Sequence, residues 1–247
     1  VSVQSGDIVR ILSRVYTGAA IGTALDLHGV TRTVQCWQEG ATYYALDTTK
    51  PMYNAAQSQP VQLNKIYGGI CLQDVHQANL DDALRNGSIT WVTTSSVNNW
   101  DPNAVSMLNN MATAYNYYRV SHSHNSFDNA NGSVNVYIHC ADDQGKNVAQ
   151  YSPTFKSFFF GDGGPTVFKN LSGALDITTH EFTHGVESHL SGMEYENQSG
   201  ALMEHISDFM ACMVDRDEWL AGDGTIIDPQ YIALRDVSDP ANPQVLR

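Results

Sequence analysis

His180-Glu181-Phe182-Thr183-His184 is the stretch on which the reading of this chain turns. On a helix, residues four apart stand about 40° apart around the axis, so the two imidazoles project from one face. Two neutral imidazoles converging there suit one Zn²⁺, which takes nitrogen ligands at about 2.0–2.1 Å. Glu181 lies between them, placed to act as a base on water at the metal without being a ligand itself. An open zinc site needs a third protein ligand. Glu204 supplies a candidate, twenty residues past His184, within Asn197-Gln198-Ser199-Gly200-Ala201-Leu202-Met203-Glu204-His205-Ile206-Ser207-Asp208. Gly192 closes the first helical pattern. Ser199 is placed to cap a second, whose apolar positions Leu202, Ile206, Phe209, Met210 and Met213 keep helical spacing. Two helices joined by a short connection pack antiparallel, which returns Glu204 to the histidines. Asp208, one turn beyond Glu204 on the same face, is set to accept the free ring N–H of a ligand histidine.

With these residues in place, the chain resembles the thermolysin-like zinc endopeptidases. The resemblance covers roughly residues 75–243. It rests on His180-Glu181-Phe182-Thr183-His184, on Tyr195 through Asp208, on Gly161-Asp162-Gly163, and on Leu234-Arg235 followed by Ser238-Asp239-Pro240. It implies an α+β zincin fold with a β-rich N-terminal lobe, a central zinc helix and a mainly helical C-terminal lobe that is truncated here. The chain then divides into residues 1–14, residues 15–174 (the β-rich lobe) and residues 175–247 (the active-site helices and the start of the C-terminal lobe). Ser5-Gly6-Asp7-Ile8-Val9-Arg10-Ile11-Leu12 is similar to the last strand of such enzymes' propeptides, and an ordinary N-terminal strand fits it equally well.

The function this resemblance implies is secreted, zinc-dependent hydrolysis of peptide bonds. Zn²⁺ on His180, His184 and Glu204 activates water, and Glu181 carries the proton. Tyr195 hydrogen-bonds the oxyanion and Arg235 holds a substrate carbonyl. Phe168, Leu171, Ile177 and Leu234 match the family's apolar pocket for the side chain after the cleaved bond, which implies a preference for bulky apolar residues. The family's substrate-binding edge strand corresponds to Asn147-Val148-Ala149-Gln150-Tyr151-Ser152-Pro153. Asn147 is the candidate peptide-binding residue there, and Pro153 is set to interrupt the ladder. Positions similar to Asp176, Asp215, Glu218 and Asp223 bind Ca²⁺ in such enzymes, and carboxylates converging there would repel one another without a cation.

Two departures stand out. The family's late histidine has no counterpart before Arg247, and Met203 stands where the family often has Asn. The implied partners are protein or peptide substrates and a C-terminal segment of the same precursor, on the order of 100 residues or fewer. A second reading is a non-catalytic, zinc-stabilised fragment with a binding role. Glu181 favours the enzyme, because a structural zinc site closes its fourth position and needs no base. The absent histidine favours the fragment.

Composition sets outer bounds. A net charge of −13 argues against nucleic acid and anionic membranes as partners, and the carboxylate excess suits calcium. Only 16% of residues are charged, a balance common in secreted proteins. No apolar run approaches the length of a membrane span, and no signal peptide is visible. The four cysteines allow three pairings. Cys36 and Cys71 can close a loop of about 35 residues, worth roughly 3–4 kcal/mol in chain entropy. Cys140 and Cys212 fit buried thiols as well as a bridge.

Strand-prone runs at Thr31–Trp37, Thr42–Leu46, Val61–Leu63 and Thr90–Val97 precede a helix opened by Asp101-Pro102. That helix carries Val105, Leu108, Met111, Ala112, Tyr115 and Tyr118 on one stripe. Val134–Cys140 and Lys156–Phe160 are further strands, and the pattern is helical from Leu175. His122 and His124 read as a solvated loop. Helical angles turn His189 and His205 away from the zinc.

Overall fold

The computed structural model describes residues 17–62, 65–76, 80–142, 145–216 and 218–246. Its β-rich half holds two sheets. Thr17–Leu25 (β1) and Thr31–Glu39 (β2) pair antiparallel along their whole length, from Thr17↔Glu39 to Leu25↔Thr31. Thr42–Tyr44 (β3) continues this sheet, while Leu46–Asp47 (β4) leaves it for the second one. The anticipated strand Thr42–Leu46 therefore breaks at Ala45. The Ala45 N–H donates to Val92 and its carbonyl accepts from Leu72, at 2.9 Å each, as the chain crosses between sheets.

Ile70–Asp74 (β5), the helix Leu80–Asn86 (α1), and the short strands Thr90–Trp91 (β6) and Thr93–Thr94 (β7) follow. The anticipated run Thr90–Val97 is thus split in the same way, with β7 returning to β3. Val61 lies in a turn at φ 70° rather than in the expected strand, and Leu63 falls outside the described residues. So do residues 1–14, on which the propeptide reading rests.

Pro102–His122 (α2) starts where its sequence dictates. The Asp101 carboxylate accepts from the Asn103 N–H, and Pro102 occupies the first turn, where no amide donor is missed. Its buried stripe includes Val105, Met107, Leu108, Met111, Tyr115 and Tyr118. These pack with Val34 of the first sheet and Leu72, Val136 and Phe158 of the second into one core. The second Asp101 oxygen meets His139 Nε2 at 3.0 Å, and His139 Nδ1 meets Asp162 at 2.8 Å. One imidazole thus ties the start of α2 to the Gly161-Asp162-Gly163 turn.

Val134–Cys140 (β8) forms as anticipated, with its inward face fully buried. Ala149–Ser152 (β9) and Ser157–Gly161 (β10) complete the second sheet, in the order β4-β5-β8-β10-β9 with β6 paired to β5. β9 is its outer edge. Pro153 falls one residue past β9, so it ends the ladder instead of interrupting it.

Leu175–Leu190 (α3) lies against β10, where Phe158 and Phe182 stack at 5.8 Å. Gly185 permits this approach, since an added Cβ would stand 3.1 Å from both Phe127 and Phe158. Phe182 is fully buried, and truncating such a side chain costs about 3–5 kcal/mol. Asn197–Asp215 (α4) returns antiparallel to α3, as the contacts His180–Asp208 and His184–Glu204 require. Ser199 is not its cap. The helix starts two residues earlier, and the Ser199 hydroxyl donates to the carbonyls of Glu194 and Glu196. Leu220–Ala221 (β11) and Arg235–Asp236 (β12) form a small ribbon beside α4.

The Cys36–Cys71 bridge is not formed. All four cysteines are free and buried. Cys36 on β2 donates to the Ala20 carbonyl, whereas Cys71 on β5 faces a separate cluster with Leu46 and Ile66. His124, expected in solvent, is buried, with Nδ1 on the Ser126 carbonyl at 2.7 Å. Among the described residues, no helix is long and apolar enough to cross a membrane.

Candidate active site

The face of α3 that turns toward α4 carries His180 and His184, their rings perpendicular with centroids 4.6 Å apart. His180 Nδ1 donates to Asp208 at 2.8 Å, and His180 Nε2 lies 3.4 Å from Glu204 Oε2. His184 Nε2 lies 3.2 Å from Glu204 Oε1. Each Nδ1 is engaged by a carboxylate, Asp208 for His180 and Glu187 for His184, so that in the neutral ring Nε2 is the nitrogen that carries the lone pair. One ligand atom from each of His180, His184 and Glu204 lies within 4.8 Å of the others. Two nitrogens and a carboxylate on so small a triangle fit the donor chemistry of zinc.

Arg235 on β12 reaches across to hold Asp208 by both of its oxygens, one at 2.8 Å through Nη2. The same nitrogen stands 3.7 Å from Glu204. Asp208 therefore links β12 to the first histidine. Burial alone would raise its carboxyl, but His180 and Arg235 hold it below the usual carboxylate range.

Glu181 is buried and accepts the Tyr151 backbone N–H of the edge strand at 2.7 Å. Burial pushes its pKa up, partly opposed by the two histidines. Burial also disfavours imidazolium at His180 and His184. Asp208 and Glu204 overcome this at His180, holding it at about 9, while Glu187 and Glu204 hold His184 at about 10. Tyr195 stands edge-on to the His184 ring at 5.7 Å, half in solvent, and its hydroxyl donates to Glu204.

These groups sit in a cleft of about 720 Å³. Asn147, Phe168, Leu171, Ile177, Leu234 and Arg235 all line it, so every sequence-derived substrate candidate faces one space. Gln150 and Tyr151 of the anticipated edge strand line it too, as do Ser188 and Met193, which were not anticipated. The alternation of β9 could have pointed to Tyr151, since its amide faces the helix that carries Glu181. Glu187 also went unnoticed. Its three-residue spacing from His184 on a helix was the available signal.

Asp176, Asp215 and Asp223 converge as expected, with one oxygen from each within 4.8 Å of the others. Asp176 is buried at the start of α3, where it accepts the amides of Ile177 and Gly222. Burial pushes its pKa up to about 7, and the two neighbouring carboxylates add to the rise. Glu218 does not join them. Arg216 turns left-handed at φ 65° where α4 ends, and Glu218 beyond it is exposed, outside the cluster.

Two histidines and a carboxylate from consecutive helices could hold a metal ion as the His₂Glu set of a zincin would. The chain belongs to the thermolysin metallopeptidase family. The family model of the thermolysin metallopeptidase catalytic domain matches residues 21–188, and that of the alpha-helical domain matches residues 191–246. Bacillolysin of Bacillus amyloliquefaciens is 30% identical over 97% of this chain, which spans 42% of that relative. Neutral protease NprE of Bacillus pumilus is 32% identical, with 90% of this chain and 67% of the relative aligned. The precursor of protealysin, a metalloproteinase from Serratia proteamaculans, shares the fold at a TM-score of 0.58 and 22% identity, over 69% of this chain and 54% of that one. The chain therefore spans about two-fifths of the length of the bacillolysins it matches.

Proposed function

We propose that this chain carries the catalytic centre of a secreted zinc endopeptidase. The observation that supports it best is Glu181, a buried carboxylate beside the His180–His184–Glu204 triangle and oriented by the Tyr151 amide. A purely structural metal site has no use for such a base. His180, His184 and Glu204 would hold zinc, which when bound supplies Lewis acidity that polarises a carbonyl and lowers the pKa of water.

The rest is done by side chains. Glu181 takes the proton of the attacking water and passes it to the departing amine. Tyr195 leaves Glu204 to donate to the developing oxyanion. Arg235 offers a guanidinium N–H to a substrate carbonyl while remaining anchored on Asp208. Asn147 receives the peptide backbone ahead of the edge strand. Phe168, Leu171, Ile177 and Leu234 take the residue after the cleaved bond, which favours bulky apolar side chains. Asp176, Asp215 and Asp223 would hold calcium for stability rather than chemistry.

Residues 15–174 and 175–247 are then the two walls of the cleft. Secretion accords with relatives such as the extracellular elastase of Staphylococcus epidermidis. Leu202, Phe209 and Trp219 are exposed by 49%, 41% and 46%, and a further C-terminal segment of the same precursor would cover them.

The test is a peptidase assay on material of verified intact mass, with and without a zinc chelator. Chelator-sensitive cleavage before bulky apolar residues supports the reading. Zinc binding without cleavage, in material that includes any C-terminal segment, would leave the non-catalytic fragment instead.

A further inference from the structure

We propose that Glu187 is a positioning residue for His184, fixing the tautomer and the ring plane of the second histidine as Asp208 does for the first. Glu187 lies three residues after His184 on α3, about 60° around the axis, so its carboxylate reaches back to the same face. Its Oε2 lies 3.2 Å from His184 Nδ1 and 3.3 Å from the Ser207 hydroxyl, which is itself 3.2 Å from Nδ1. No other side-chain carboxylate among the described residues is within hydrogen-bond distance of that nitrogen.

The residue is out of place on any packing argument. It is 6% exposed, and its second oxygen, Oε1, is buried with no hydrogen-bond partner. A carboxylate kept there carries the desolvation of an unsatisfied oxygen, which a leucine or threonine at the same position would avoid. The bond to His184 is what a carboxylate supplies and those residues cannot. A carboxylate on the far ring nitrogen directs the Nε2 lone pair to the metal and raises its basicity. The two clamps also differ in origin. Asp208 reaches His180 across the helix interface, whereas Glu187 belongs to the same helix as His184. Ser207 joins them, donating to Glu187 from the position next to Asp208.

This inference rests on reading His180, His184 and Glu204 as zinc ligands, and the experiment separates the two. Zinc affinity is measured by competition with a chromophoric chelator on the whole chain and on the Glu187→Gln, Glu187→Asp and His184→Ala variants. The melting temperature of each zinc-free protein is recorded alongside. Glu187→Gln is expected to weaken zinc by about 10–100-fold while leaving the zinc-free melting temperature close to that of the parent, and Glu187→Asp to recover part of the loss. If the parent binds no zinc, or His184→Ala binds it unchanged, the ligand reading itself fails. If the parent binds one zinc through His184 and Glu187→Gln binds it as tightly, only the role of Glu187 falls. Nitrogen-15 spectra of the zinc-loaded parent give a check that needs no variant. His184 should show a protonated Nδ1 with its proton shifted to low field, and metal on Nδ1 or an unshifted proton overturns the proposal.

Discussion

At the scale of single residues, the chemistry concentrates in two side chains that do not touch the metal in the proposed arrangement. Glu181→Gln keeps the size of the side chain and an oxygen for the Tyr151 amide. It should bind a full equivalent of zinc, checked by elemental analysis, and lose at least about 10²–10⁴-fold in kcat with a peptide substrate. Near-normal turnover in that variant removes Glu181 as the base. Tyr195→Phe should lower kcat by about 10²-fold and leave KM nearly unchanged, because its proposed bond forms only as charge builds on oxygen. A rise in KM alone would make Tyr195 a ground-state contact. The sequence made His180, His184, Glu204 and Asp208 legible because ligand chemistry and helical spacing agree there. Glu187 was hidden by the same logic. A carboxylate one turn after a histidine looks like ordinary helix surface until burial removes the water from around it.

At the scale of elements, α2, β8 and α3 followed from pattern, since each is long and periodic. The runs Thr42–Leu46 and Thr90–Val97 did not, because each serves two sheets and the break lies in tertiary pairing rather than in any local residue. The His139 strap also escaped sequence reading, as its partners Asp101 and Asp162 lie 38 and 23 residues away. Its pH behaviour can be worked out. The hydrogen bonds that His139 donates to Asp101 and Asp162 outweigh burial and raise the His139 pKa from 6.5 to about 10, while the bond to Asp101 lowers that carboxyl from 3.8 to about 2. A raised histidine contributes stability in full below 6.5 and loses it as pH climbs through 10. A lowered aspartate contributes above 3.8 and loses it as pH falls through 2. Both are present between 3.8 and 6.5. His139→Gln should therefore melt below the parent in that window, with the gap closing toward the alkaline end. A gap that does not vary with pH would mean the strap is neutral or inert.

At the scale of the molecule, the acidic cluster joins the start of α3, the end of α4 and the loop at Asp223. Removing calcium with a selective chelator at constant zinc should lower the melting temperature, and adding it back should restore it, since ligand at a hundred times its dissociation constant stabilises the fold by about 2.7 kcal/mol. An unchanged melting temperature leaves the three carboxylates as a site without an ion. The structure brings Asp176, Asp215 and Asp223 together as the sequence reading expected and leaves Glu218 outside the cluster, because the left-handed turn at Arg216 is invisible in residue type. Denaturing electrophoresis of active enzyme addresses the exposed apolar face of α4. If the proposed C-terminal segment covers that face, a second fragment or a longer polypeptide appears; full activity in a soluble, monomeric 247-residue chain would exclude it.

The buried, unbridged cysteines have a practical consequence for following such a protein as it opens. Burial pushes the thiols of Cys36 and Cys212 up to about 11 and that of Cys140 to about 12, with Cys71 raised as well. Since only a thiolate attacks a disulfide reagent or an alkyl halide, all four should be silent in the native state. They become four internal clocks when the chain breathes, three among the strands and one on α4. Pulsed alkylation read by mass spectrometry should modify Cys212 ahead of the other three if α4 detaches first, and all four together if the two halves open as one cooperative unit.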